Sequence, residues 1–600
     1  MTVLKRTICK RQEDLKKVCF FDIEAESFGK GKGDETDFIA GAVLLPQYEE
    51  PFIFTQLDEM IKFMLSKPTF TFRCHNAEYD LKFIIPYLQH HTELYKYAQL
   101  IIQGQSGRVI GLTVKLNTRK NIYFKDTFPV LPASLKKLAE QFDTPHKKLE
   151  LNLQETEFNP NDPAHIKYLM NDTRALRECY VAFAKVLWKT FGTSVKYTAG
   201  GNSLTAWKRY IQEGLEITNL QPEIEEFVRL CYHGGHTFLT TTKECTDLVY
   251  IDFNSMYPSV MRDGVPFSYN PQISNKYMPD RLSFMHCIAT CSKQKTPHPF
   301  IIANDKNRTT PWGVFDCYIT SREYETGLKY GYEFKVLETV NFEYLYYGFN
   351  EYVDLCEKLR HEYKGHVLEF VVKLMQNSLY GKFGTKREIT EYYIGDFKSD
   401  ISLQVVNPSD GSIVENMIQV KKYSTNNYIL PHWSAWITAN ARIKLIDTIY
   451  AVGCDNVVYG DTDSLIIYRK PFEEAVEKGL IKISDKYGDF KIEHMVDTFQ
   501  ARAPKNYIMD TMHKSKGIPK LFADDIKHEE NIRTGEHSEV EMIKFNSILT
   551  MLKHGTAQWE HSHRSYSDIR NSNKYVENGD EIEPITVYMD TSTIVKFFKL

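Results

Sequence analysis

Tyr459-Gly460-Asp461-Thr462-Asp463-Ser464 lies between the apolar runs Val457-Val458 and Leu465-Ile466-Ile467-Tyr468. The pattern predicts a β-hairpin with two carboxylates at its tip. Gly460 permits a tight turn, and strand alternation would send Asp461 and Asp463 to one side, facing one divalent cation. An ordinary Asp-rich turn has the same composition, because Asp and Gly are good turn formers. The reading therefore depends on what else the chain carries. A third acid, Asp252, follows the apolar strand Leu248-Val249-Tyr250-Ile251 and opens Asp252-Phe253-Asn254-Ser255-Met256-Tyr257-Pro258-Ser259. Between the two stretches lies Lys373-Leu374-Met375-Gln376-Asn377-Ser378-Leu379-Tyr380-Gly381.

Taken in chain order, from Asp252 through Lys373 to Tyr459, these three stretches resemble the A, B and C motifs of family B DNA polymerases. The resemblance implies that Asp252 and Asp463 hold two Mg²⁺ ions, with Mn²⁺ able to substitute. The backbone carbonyl of Phe253 would be a further metal contact and Asp461 a nearby, state-dependent ligand. Paired metals can clamp the attacking and leaving oxygens of nucleotidyl transfer. Tyr257 would lie beneath the incoming sugar and exclude a 2′-hydroxyl.

The stretch from Phe349 to Gly381 reads as a helical hairpin turning near Gly365. At about 100° per residue, Val367, Phe370, Val371, Leu374 and Ser378 share one face of its second helix. Lys373, Asn377 and Tyr380 share the opposite, polar face, which suits contacts to phosphates and to the base pair. Lys373 would pair with the triphosphate and could protonate departing pyrophosphate. Arg360, or alternatively Lys364, would grip the same phosphates.

A second acidic constellation lies nearer the amino terminus. Asp22-Ile23-Glu24 follows a strand beginning at Val18, so its two acids share one face. Asn76-Ala77-Glu78-Tyr79-Asp80 comes next, then Tyr168-Leu169-Met170-Asn171-Asp172 on a predicted helix spanning Ile166 to Val186. In order, the three resemble the motifs of DnaQ-type 3′–5′ proofreading exonucleases. Asp22, Glu24, Asp80 and Asp172 would then hold two metal ions, and Tyr168 would orient the attacking water. Asn76 and Tyr79 suit a frayed 3′ end, which needs stacking and hydrogen bonding. The same resemblance carries Thr127, Phe128 and Lys148 to the single strand or its phosphate. Ala25 departs from the pattern, standing where several relatives carry a hydroxyl residue.

Three shorter matches concern primer and template. Tyr232-His233-Gly234-Gly235 resembles a Y-x-G-G link, in which Tyr232, Gly234 and Gly235 would lie along template phosphates. Thr438-Ala439-Asn440-Ala441-Arg442 resembles a primer-strand motif carried by Thr438 and Arg442. Lys505-Asn506-Tyr507 resembles a K-x-Y motif at the primer terminus, through Lys505 and Tyr507.

The chain has 600 residues, 42% apolar and 25% charged, long enough for about four domains. Its 74 Lys plus Arg against 78 Asp plus Glu give a net charge of −4, which speaks against bulk coating of nucleic acid and requires localised basic patches. Lys505, Lys514, Lys516 and Lys520 form such a patch. Eleven cysteines include no C-x-x-C pair, so they read as reduced core residues. The stretch Met1 to Lys17 has no apolar signal core, and no run is long enough to span a membrane. These features lead us to expect the cytoplasm of a host cell.

The expected fold is multidomain, α/β and α+β: a DnaQ/RNase H-like exonuclease domain joined to a right-hand polymerase with inserted loops. The expected divisions are 1–195 exonuclease, 196–265 first part of the palm, 266–348 first insertion, 349–387 fingers, 388–428 second insertion, 429–530 second part of the palm and 531–600 thumb. Small size and paired insertions resemble the protein-primed polymerases of phages, adenoviruses and linear plasmids. That branch implies template/primer DNA, dNTPs and a terminal priming protein as partners, with strand displacement. A DNA-primed member of the family and a catalytically inactive DNA-binding replication protein are the alternatives; intact acids at both sites argue against the second.

Overall fold

A computed structural model describes the chain except residues 1, 5, 10, 27–35, 105–106, 150–157, 213–214, 218–219, 398–400, 521, 537, 566–574 and 590–600. The amino-terminal unit is built on strand Val18–Ala25, which pairs antiparallel with Phe38–Leu44 and parallel with Thr71–Cys74. Helix Pro163–Phe191 packs across this sheet. It outruns the predicted 166–186 at both ends because its stop signals lie further out. Asp162 caps the start, accepting from the Ala164 N–H at 2.8 Å ahead of Pro163, and Gly192 ends it with φ +56°.

Residues 388–428 are β-rich, as expected, and they extend the amino-terminal sheet. Strand Glu388–Ile394 pairs with Tyr97–Gln103, and strands Ile413–Tyr423 and Gln404–Val406 follow outward, making ten strands in all. This covers an edge that would otherwise expose a row of unpaired backbone groups.

A second, seven-stranded antiparallel sheet occupies the centre. Its order is Thr237–Leu239, Val457–Asp461, Ser464–Tyr468, Cys245–Phe253, Phe490–Ala503, Asn506–Met509, Met512–Ser515. Apolar residues on both of its faces, among them Leu248, Val249, Ile251, Leu465 and Ile467, are buried. Helix Pro431–Val452 lies in the core with Trp433 fully buried, in ring contact with Trp207, Phe349 and Phe383. Phe349 precedes the first helix and Phe383 ends the second of a helical hairpin, Asn350–Glu362 and Val367–Phe383, which turns at Gly365 (φ +81°).

Two expected divisions cut through elements. Position 265/266 falls inside strand Val265–Phe267, which pairs with Tyr344–Tyr346 and so zips both ends of the expected first insertion together. Position 530/531 falls inside helix Asp525–Thr534, whose caps, Asp524 and Gly535, hold it as one element. Between the zipped ends, residues of the expected first insertion form a sheet completed by strand Thr586–Tyr588 from near the carboxyl terminus. Other residues of the expected thumb form hairpin Glu539–Phe545 with Trp559–Ser565; 566–574 and 590–600 lie outside the described residues. All eleven cysteines are free, and nine are buried. Among the described residues no helix is long and apolar enough to cross a membrane.

Candidate active sites

In the amino-terminal unit, Asp22 and Glu24 face the same way from strand Val18–Ala25, with Ile23 buried between them. Their antiparallel neighbours are Ala42 and Ala40, small residues packed against Tyr168 and Leu169, which lets the long helix approach the sheet closely. Asp80 lies in the first turn of helix Ala77–His90 and accepts from the Ile23 N–H at 3.1 Å. Asp172 follows Tyr168 by one helical turn. Asp22, Glu24, Asp80, Tyr168, Asp172, Lys148, Asn76 and Tyr79 line one open cleft of about 880 Å³.

The electrostatics are those of crowded, buried carboxylates. Burial, with Asp172 adding to it, pushes Asp22 up to about 7. Burial and the same neighbours raise Glu24 well above the carboxylate range, and burial with Asp22 and Asp126 does so for Asp80. Lys148 opposes this by bonding Asp172 Oδ2. The other oxygen, Asp172 Oδ1, is buried with no hydrogen-bond partner. Among the described residues no three His, Cys, Asp or Glu side chains close into a finished metal cage. An all-carboxylate donor set with one buried oxygen unpartnered nevertheless suits a hard divalent cation, and these four acids would hold it.

Because its folded-state value is raised, Asp22 retains a proton that the unfolded chain has lost. Stability therefore falls as pH rises from about 4 to about 7 and stays reduced above that. Asp22→Asn is expected to melt several degrees higher than the unaltered protein at pH 7.5 without divalent cations, and equally at pH 4. Thermal melts at the two pH values check this.

In the central sheet, Asp252 stands near the end of strand Cys245–Phe253, opposite Ser464. The Phe253 N–H donates to the Asp463 carbonyl at 2.8 Å, tying the hairpin tip to the strand end. Asp461 ends one strand, and Thr462-Asp463 is the two-residue turn, with Thr462 at φ +67°. Turn geometry, not the strand alternation expected above, therefore sets the position of Asp463. Burial and Asp463 push Asp252 up to about 7; burial and Asp461 raise Asp463. Lys491 lies 3.9 Å from Asp252 and Lys505 3.3 Å from Asp461, supplying partial counter-charge. The oxygen donors of Asp252, Asp463 and the Phe253 carbonyl suit the same class of hard cation.

Around this centre, the Tyr257 ring stacks on Tyr380 at 4.6 Å. Lys373 is exposed on helix Val367–Phe383 and favours the ionised forms of Asp252 and Asp463. Asn377 Oδ1 is buried without a partner. Arg360 Nη1 donates to Ser255 Oγ, whereas Lys364 is exposed in the hairpin turn. Phe370 is 49% exposed, not part of the buried face. That face is Val367, Leu368, Val371, Val372, Met375, Leu379 and Phe383, because the helix packs against several elements and its apolar stripe is rotated from the one predicted.

Four expected DNA contacts lie inside the protein. Thr127 is buried and bonded to Cys74 O and His75. Tyr507 is buried between Tyr459 and Phe499. Thr438 is buried and donates to Ala435 O. Arg442 is 3% exposed, paired with buried Glu323 at 2.6 Å, and donates to the carbonyls of His233 and Gly234. Burial pushes Glu323 up, but Arg442 outweighs it and holds the carboxyl below its usual range. Arg442 thus holds the Tyr232–Gly235 loop from within. Arg442→Ala strands a buried carboxylate and is expected to cost about 3–5 kcal/mol of stability, read by urea unfolding.

In that loop, Gly234 is exposed with open space beside it. A Cβ at Gly235 would meet the Thr462 side chain at 2.6 Å, and the Thr462 N–H donates to His236 O. Gly235 therefore serves the acidic turn. Tyr232 is half-buried, and its ring fills the space beside Gly384. Lys505, with its backbone at φ +65°, ties the Lys505–Tyr507 stretch to the acidic hairpin, its N–H donating to the Tyr459 hydroxyl at 2.9 Å. At the first site, Phe128 is half-buried beneath the Arg108 guanidinium, 5.3 Å away. Arg108 and Asp126 organise this corner: Asp126 accepts from the N–H groups of Asn76 and Phe128 and from Arg108, and Arg108 also bonds Asn76. Sequence reasoning missed both roles, although Asp126 stood beside two residues it named.

Two separated carboxylate centres, one on a mixed α/β sheet and one on an antiparallel sheet flanked by a helical hairpin, are the features by which the fold is compared with known proteins. The sequence matches the family described as DNA polymerase type B, organellar and viral, over residues 61–161 and 162–445. The chain belongs to that family. A Neurospora intermedia protein named "Probable DNA polymerase" is 25% identical over 507 residues, covering 72% of this chain, which spans only 51% of that protein. The DNA polymerase of Bacillus phage B103 is 24% identical over 476 residues, covering 73% of this chain and 78% of its own length. In fold, the phi29 DNA polymerase complexed with primer-template DNA and incoming nucleotides superposes with a TM-score of 0.72. That match has 19% identity and covers 92% of this chain and all of the other.

Proposed function

We propose that this chain is a DNA-directed DNA polymerase with a 3′–5′ proofreading exonuclease, replicating a linear viral or plasmid genome in a host cytoplasm by protein-primed initiation and strand displacement. The observation that carries the reading is the convergence of Asp252 and Asp463 at a turn pinned by the Phe253–Asp463 hydrogen bond, facing a helix that presents Lys373. Divalent cations held by these acids would supply charge stabilisation for the attacking and leaving oxygens. The chain's own side chains do the rest. Lys373 and Arg360 bind the triphosphate, Lys373 offers a proton to the departing pyrophosphate, and Tyr257 on Tyr380 forms a flat floor under the sugar. At the first site, Asp22, Glu24, Asp80 and Asp172 serve removal of the terminal nucleotide by hydrolysis of its phosphodiester. Tyr168 positions water there, and Asn76, Tyr79 and Phe128 receive the strand end.

Likeness to polymerases of Bacillus phages and the placement of the second insertion on the amino-terminal sheet support the protein-primed branch. The test is Mg²⁺-dependent extension of a primed template, run beside a reaction supplying a terminal protein from the same genome. Extension with a covalent nucleotide–protein adduct is expected. Extension without any adduct would assign the chain to DNA-primed synthesis, and no extension would overturn the polymerase reading.

A further inference from the structure

Within the apolar stripe of helix Val367–Phe383, between Met375 and Leu379, Gln376 is fully buried. A primary amide in that setting is costly unless both ends are satisfied. Here both are. Gln376 Nε2 donates to Ser255 Oγ at 3.0 Å, and its Oε1 accepts from the Tyr487 hydroxyl at 2.9 Å. Arg360 Nη1 donates to the same Ser255 Oγ and approaches the Tyr487 hydroxyl oxygen at 3.4 Å. The four side chains close a ring. Arg360 and Gln376 come from the two helices of the hairpin, and Ser255 and Tyr487 from the central unit.

The ring is anchored to the Asp252 site. Ser255 lies three residues beyond Asp252, two before Tyr257, in a left-handed conformation (φ +49°) that a serine adopts only when its surroundings enforce it. Tyr487 lies in a loop folded around Asn254: Asn254 N–H donates to Asp489 O, Gly488 N–H donates to Asn254 O, and Asn254 Nδ2 donates to Ser484 O. The Tyr487 ring also faces the guanidinium of Arg360, at 5.6 Å. With Nη1 engaged and Glu369 3.8 Å from Nη2, Arg360 Nε remains buried with no acceptor. It is an N–H donor held in place by neighbours that leave it unused.

We infer that Gln376 and Tyr487 are positioning residues for the incoming deoxynucleoside triphosphate: their hydrogen-bonded ring with Ser255 fixes the Arg360 guanidinium so that its remaining N–H groups meet the phosphate oxygens. This rests on the nucleotidyl-transfer reading of the site. Pre-ordering a long, flexible cation removes an entropy cost from binding, so the ring acts on affinity for the triphosphate more than on the chemical step.

The experiment is single-nucleotide incorporation on a primed template, measuring kcat and KM for the dNTP, with melting temperature followed for each variant. Tyr487→Phe keeps the ring and deletes one hydroxyl; Gln376→Met keeps the length and deletes the amide. Each is expected to raise KM about 5- to 20-fold with kcat within about 2-fold. In an Arg360→Ala background, Tyr487→Phe is expected to change KM no further, because both changes remove the same contact. If Gln376→Met fails to fold, Tyr487→Phe carries the test. KM unmoved in the folded variants, or effects that multiply with Arg360→Ala, would overturn the inference while incorporation by the unaltered protein upheld the site reading. No incorporation by the unaltered protein would overturn both.

Discussion

Asp463→Ala is expected to abolish primer extension, by on the order of 10³-fold or more, while excision from a 3′ end continues. The magnitude follows from the proposed role of the carboxylate: it would be one of two acids holding cations whose charge stabilises the attacking and leaving oxygens, worth several kcal/mol of barrier. The separation of the two activities follows from the architecture. Asp463 sits on the turn between strands Val457–Asp461 and Ser464–Tyr468 of the central sheet, while the other four acids lie on the amino-terminal unit. The variant should also stay folded. Asp463 is raised by burial and by Asp461, so removing it relieves repulsion in the protein without bound cations. Gel-resolved extension and single-strand digestion on the same preparation check both halves. Extension persisting near its original rate would break the assignment of Asp463.

Asp22→Ala combined with Glu24→Ala is expected to produce the converse: excision lost by a similar factor, extension retained, and misincorporated ends left in place. In the proposed site these two side chains, on one face of strand Val18–Ala25, would not be replaced by Asp80 or Asp172 alone, because a cation pair would need donors from both sides of the cleft. A mispaired primer terminus is the sensitive substrate. Continued removal of the mispaired nucleotide would refute the site.

Much of this was legible in residue order. The amino-terminal acids sit on one strand and on regular helix turns, and such motifs can be read because strands alternate and helices repeat over a few residues, whereas Asp463 is placed by a turn. Asp22, Glu24, Asp80 and Asp172 accordingly line one cleft. Residues identified by short degenerate strings fared differently. Thr127, Thr438, Arg442 and Tyr507 are buried, and Arg442 turns inward to Glu323, a residue over a hundred positions away that no local pattern could pair with it. The burial of Gln376 and exposure of Phe370 were hidden for a related reason: a helix touching several neighbours buries whichever stripe they happen to cover.

By itself, then, the order of amino acids determined which elements form and which acids are candidates for cations, since backbone periodicity and turn chemistry act over a handful of residues. Only the tertiary structure decided how those acids are grouped, which basic residues face outward and which are locked inside, and that residues 388–428 join the amino-terminal sheet. Those outcomes depend on burial and on charge pairing across hundreds of positions, quantities that exist only once the chain has closed on itself.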